Sequence, residues 1–324
     1  MSNYDDFQVK ISYFKIVKLI KFFFFLFCIS IIPQNGMAES SLTLHVFQSP
    51  YGIDWATPKS LIKSVLRNSF TFKDRKIGHV AVELSCEKGM KGIPFHLLTG
   101  MSNSDKHIHK KLLLLDRVGF SVIFGSVDGL LEPESKLIKE IKEKSNVEKS
   151  PRYNFIKFLI SNRTCVRLEK YYRTYVGQLY YKKYGLPNNP RKGEGAGCSA
   201  FGASFLEVAG ILNPEYKNAW SLEKKVSYKM LGGKENLKNP QMKVSLFDLL
   251  FMNDSENHWL NDNEEGRKVF FYDPDLMFKW INHQVKTKTM SLNKKGVVIK
   301  NHKVFGLQFD FSTTPTPLES PWIK

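Results

Sequence analysis

Gly193-Glu194-Gly195-Ala196-Gly197-Cys198-Ser199-Ala200-Phe201-Gly202-Ala203-Ser204-Phe205-Leu206-Glu207 is the stretch that decides how this chain folds. Its first five residues carry little side chain and read as a loop. Small and apolar residues then run from Cys198 to Ala209 and are stopped by Gly210, so a helix is expected over 198–209. The thiol of Cys198 would stand at a helix N-terminus. The helix dipole and the backbone N–H groups there favour the thiolate. The same N–H groups can hold the negative oxygen that forms when a carbonyl is attacked, and the glycines before the cysteine would let a substrate approach closely. The competing reading is a buried structural cysteine on a tightly packed helix, since free cysteine is among the most buried residue types.

A base for such a thiol must come from another element. Gly78-His79-Val80-Ala81-Val82-Glu83 lies in an apolar run, 77–84, that reads as a buried strand. A strand puts His79, Ala81 and Glu83 on one face. From there His79 could take the thiol proton as general base and return it to a leaving group as general acid. Alone, a strand histidine is more often a hydrogen-bonded structural residue. A third group must fix the imidazole. His96, on the next expected strand (95–99), is the first candidate. Glu83 is the second, and it is equally readable as a solvated residue paired with a lysine.

Outward from these segments, 42–47 alternates as a strand, 59–68 reads as a helix, and 112–115 and 120–124 read as strands. Residues 132–143, 154–160 and 166–184 read as helices, and 188–197 as a loop. Strands first and helices later indicate an α+β domain. Beyond Trp220 the chain is polar and lysine-rich, with a helix expected over 276–285. Residues 297–300 and 303–311 form a closing hairpin in which Phe305, Leu307, Phe309 and Phe311 share a face. The organisation expected is a segment 1–38 that is removed, a catalytic domain 39–220, and a C-terminal extension 221–324 packed on the same core or apart from it.

Gly78-His79-Val80-Ala81-Val82, Pro94-Phe95-His96 and Gly197-Cys198-Ser199-Ala200-Phe201 resemble the NlpC-type papain-like cysteine hydrolases. Ordinary members carry the cysteine before the histidine. Here His79 precedes Cys198 by 119 residues, an order similar to the circularly permuted branch that includes lecithin:retinol acyltransferase-like proteins. The resemblance implies a small antiparallel sheet bearing the histidine and a polar third residue, packed on the helix that begins with the cysteine. It also implies that the third position follows on the neighbouring strand, which matches His96, and that the activity is thiol-mediated cleavage or transfer of an amide or ester acyl group. No metal or organic cofactor is called for. The resemblance covers three short segments within 78–206 and nothing after about 220.

Lys15, Lys18 and Lys21 precede the apolar run 22–32, and Gly36-Met37-Ala38 follows. A basic start, a short apolar run and a small-residue exit form a secretory signal, cleaved after Ala38. Retained, the same segment would anchor the chain in a membrane. Cleavage removes four lysines and two aspartates, so the net charge of +17 falls by two to +15. An exported protein this basic is drawn to anionic envelope polymers or lipid headgroups. With no aromatic-basic RNA signature and no metal finger, nucleic acid is not an expected partner. Cys86, Cys165 and Cys198 remain, an odd number, with Cys86 and Cys165 free to pair and leave Cys198 reactive. His107 and His109 read as loop residues. The function indicated is an exported thiol hydrolase of an amide bond, with a cell-wall peptide among the substrates that fit. The alternatives are lipid acyl chemistry at the same site, or an inactive binding module.

Overall fold

Ser41–Phe47, buried at all seven positions, forms β1 inside a sheet covered on both faces. The structure, a computed structural model, describes residues 39–71, 77–105, 107–145, 152–287, 296–301 and 304–323. Residues 1–38, with the expected export signal and Cys28, lie outside them.

β1 pairs antiparallel with β2 (His79–Cys86) on one side and β5 (Tyr153–Ile160) on the other. Beyond β2 follow β3 (Phe95–Asn103), β4 (Val127–Leu131) and β6 (Lys183–Tyr184), all antiparallel. Beyond β5 lies β10 (Val304–Phe311), parallel to it, and then β9 (Gly296–Asn301). The sheet order is thus β6-β4-β3-β2-β1-β5-β10-β9, and a separate ladder joins β7 (Ser221–Ser227) to β8 (Gly266–Tyr272). The helices are α1 (Pro58–Thr71), α2 (Ile108–Leu114), α3 (Glu134–Ser145), α4 (Asn162–Gly177), α5 (Cys198–Ala209), α6 (Pro214–Trp220), α7 (Leu246–Leu250) and α8 (Pro274–Thr287). The class is α+β.

Strand alternation sorts the core. Leu42, Leu44, Val46, Val80, Val82 and Leu84 face Leu168, Tyr171 and Tyr175 of α4 and Phe201, Phe205 and Leu206 of α5. Phe47, Ala81, Leu98 and Tyr153 face the other way, where α3 supplies Leu137. A disulfide joins Cys86 at the end of β2 to Cys165 on α4, 79 residues apart. Closing a loop that long stabilises the fold by on the order of 4 kcal/mol in the chain-entropy account.

Several elements differ from the sequence reading. Residues 154–160, expected as a helix, are the central strand β5. Residues 112–115 belong to α2 and its C-cap, and 120–123 form a 3-10 turn, where strands were expected. The long helix expected over 166–184 ends at Gly177 and is followed by a 3-10 turn and β6. The sheet is not small and antiparallel: it has eight strands and one parallel pair, because the C-terminal hairpin adds β10 and β9 to its edge.

Candidate functional site

α5 begins where the sequence predicts, at Cys198, with Gly197 as an extended N-cap that makes no side-chain capping bond. It ends at Gly210, whose φ of 72° and the bond from Ile211 N–H to Leu206 O form a left-handed C-cap. Ten of its residues are buried, and Gly202 is the point of closest approach: a Cβ there would lie 2.8 Å from Val80 Cγ1. The glycine loop before Cys198 turns inward. Gly195 has φ of 89°, and a Cβ on it would lie 2.2 Å from Lys183 O. Its glycine is therefore required by packing on β6, not by access of a substrate.

α5 covers the Val80 face of β2, while His79 lies on the opposite face with Phe47 and Ala81, and Cys198 is itself buried, 5% exposed. Gly202, one turn along from Cys198, touches Val80, the neighbour of His79. Ser199 Oγ donates to Tyr272 O at the end of β8. Two residues on, Pro274 Cβ lies 2.8 Å from where a Cβ on Gly78 would stand. Asp275, 2% exposed, accepts from the N–H groups of Ser49 and Ile53, and Ser49 Oγ accepts from Gly78 N–H. Its neighbour Asp273 caps α8 through the N–H groups of Asp275 and Leu276 and accepts from Trp55 Nε1. Burial, and then the Asp275 charge, push the Asp273 carboxyl up to about 6.

His79 is 2% exposed and stacks on Phe47. Its Nε2 lies 2.6 Å from Oε2 of Glu132, whose side chain is 0% exposed. The pair spans β3 at Gly100, where a Cβ would stand 2.9 Å from His79 Nε2 and 3.0 Å from Glu132 Oε2. Glu132 follows β4, and its N–H donates to Gly100 O. Its other oxygen, Oε1, receives Lys136 Nζ at 2.6 Å from the first turn of α3.

The two orienting residues expected from sequence lie elsewhere. His96 is opposite Ser85 in the β2–β3 register, six positions from His79, or about 20 Å along the strand. It is half-exposed, shares a hydrogen bond with Ser85 Oγ and pairs with Glu134. Glu83 does share a face with His79, but it meets His45 Nε2 at 2.8 Å. That hydrogen bond, outweighing partial burial, holds the Glu83 carboxyl below its ordinary range. Tyr153 O–H and His45 Nδ1 are 2.7 Å apart, so His45, Glu83 and Tyr153 form a cluster of their own. His109 is on α2 rather than in a solvated loop, and burial lowers its basicity. Among the described residues no group of three or more His, Cys, Asp or Glu could hold a metal.

Beside the glycine loop lies a cavity of about 530 Å³ whose lining includes Asp128, Lys183, Asn188, Glu194 and Lys234, charges of both signs. Comparison of the chain with family models, with curated proteins and with solved structures returns no match.

Proposed function

We propose that this protein is a thiol hydrolase of amide bonds, acting outside the cytoplasm once residues 1–38 are removed, with a peptide of the cell wall as its substrate class. Cys198 is the nucleophile, His79 the general base and acid, and Glu132 the residue that orients it. The observation that supports this reading is the His79–Glu132 contact of 2.6 Å between two almost fully buried groups, on the strand whose other face α5 covers. Burying an ionisable pair is costly and a packed apolar pair would serve stability as well, so such a pair points to chemistry.

In this mechanism Glu132 Oε2, 2.6 Å from His79 Nε2, fixes the tautomer and leaves Nδ1 to exchange protons with the thiol. Cys198 Sγ attacks the amide carbon, and its proton rests on the imidazole. The C–N bond then breaks as the imidazolium protonates the leaving nitrogen, leaving a thioester. Water, deprotonated by His79, attacks that thioester; the C–S bond breaks and the thiolate is restored. N–H groups of the first turn of α5 hold the oxyanion. The charged cavity at Glu194 and Lys183 suits ionised peptide groups better than a lipid chain, which supports amide over ester lipid substrates.

The test is iodoacetamide labelling of Cys198, read by peptide mapping between pH 5 and 9. Wild type should label readily below pH 7. His79→Ala should slow that labelling about tenfold or more, with Glu132→Gln between the two. An ordinary thiol pH profile in all three proteins would remove Cys198 as nucleophile.

A further inference from the structure

We propose that the surface shared by the end of α2 and by α7 docks on an anionic lipid bilayer, independently of the catalytic reading. α7 buries Leu249 but turns Phe247 and Phe251 outward, each 68% exposed, with their rings stacked 4.4 Å apart. Leu115 is 72% exposed and Leu114 47%. The two segments are neighbours. Val244 N–H donates to Arg117 O, Val118 and Val244 form a parallel bridge, and the Arg117 charge acts on Asp248 in α7. Two phenylalanines at this exposure leave on the order of 250 Å² of aromatic surface in water, with two leucines beside them. Apolar surface concentrated in this way marks an interaction site.

The rim carries exposed Lys110, Lys111, Arg117 and Lys243 against exposed Asp116 and Asp248. Asp248 is engaged in a capping box with Ser245. Aromatic side chains amid a lysine and arginine rim form the chemistry that sits at the headgroup boundary of a bilayer. The charge argues against a second copy of the chain as occupant. At +15 for residues 39–324, two copies would set like-charged rims face to face. The patch also falls well short of the roughly 800 Å² per partner that a stable dimer buries. Among the described residues no helix is long and apolar enough to cross a membrane, and the docking proposed is peripheral.

The experiment uses residues 39–324, which form one compact unit holding every described element. Co-sedimentation is measured with vesicles of phosphatidylcholine alone and of phosphatidylcholine mixed with phosphatidylglycerol. Wild type should bind the mixed vesicles and lose affinity as salt rises. Phe247→Ser/Phe251→Ser should weaken binding about tenfold or more with unchanged circular dichroism. Lys110→Gln/Lys111→Gln should weaken it several-fold at low salt and little at high salt. A Phe251→Trp reporter should shift its emission to the blue on the mixed vesicles. Failure of wild type to bind, or equal binding by the phenylalanine double variant, overturns the proposal. So does a wild-type dimer that the double variant converts to monomer.

Discussion

Gly100→Ala isolates the corner at which the candidate site is built. The added methyl would lie 2.9 Å from His79 Nε2 and 3.0 Å from Glu132 Oε2, against an ordinary contact of 3.4–4 Å. Each polar atom must therefore retreat by roughly 0.4 Å or more, and neither group has room, since both are almost fully buried. In a strand a Gly→Ala change ordinarily gains about 0.5–1 kcal/mol. Overpacking of a filled interior costs about 1–3 kcal/mol. The net expectation is a loss of about 1–2 kcal/mol, a fall in Tm of about 2–3 °C for a chain of this size. On the proposed mechanism the displaced carboxylate would also orient His79 less well, so labelling of Cys198 at pH 6 should slow. The assay is differential scanning fluorimetry with peptide-mapped iodoacetamide labelling. Gly177→Ala serves as control, because a Cβ at that exposed helix position meets nothing within 4 Å and should stabilise. An unchanged or raised Tm for Gly100→Ala, with wild-type labelling of Cys198, would refute the reasoning.

Lys136→Met should destabilise the protein by about 1 kcal/mol, discounted because the ammonium is half-exposed, and slow Cys198 labelling by leaving Glu132 with fewer partners; Lys136→Arg should restore both, as read from urea midpoints and labelling rates. Asp273→Asn should change how stability depends on pH. The folded carboxyl at about 6 lies above its ordinary 3.8, so wild type carries the neutral-form contribution fully below pH 4 and loses it as pH rises through 6. Urea titrations should therefore show the variant gaining about 3 kcal/mol on wild type between pH 4 and pH 7, and parallel curves would refute the assignment.

The helix that opens with Cys198 was legible because its signals are local: glycines before, an unbroken small apolar run, a glycine after. The face shared by His79, Ala81 and Glu83 was legible for the same reason, since strand alternation needs no partner. β5 was not. As an inner strand covered on both faces it has no alternation to read, and Asn154-Phe155-Ile156-Lys157-Phe158-Leu159-Ile160 passes equally for a buried helix. Its aromatic and β-branched content was the signal that favoured a strand. Glu132 was missed because β4 was not anticipated and the residue was counted into a charged helix. A glutamate between the apolar run Leu130-Leu131 and Pro133, just where a strand gives way to a helix, was the available signal. His96 was preferred for its place on the next expected strand, but the β2–β3 register carries it to the far end of the ladder. Registers are set by pairings between distant segments, and a single chain read linearly does not disclose them.

The first turn of α5 and the start of β2 draw on Ser49 and Gly78, on Ser199 and on Tyr272 to Asp275. Their assembly is consequently a late event in the life of each chain. A polypeptide emerging from ribosome or translocon can form the β1–β2–β3 meander early. It cannot seat the first turn of α5 against β8 until residue 275 has emerged, nor shield β5 until β10 follows. Such long-range closure makes for slow folding and a long exposure of unpaired strand edge. The nascent chain therefore completes the packing around the first turn of α5 only after synthesis is nearly complete.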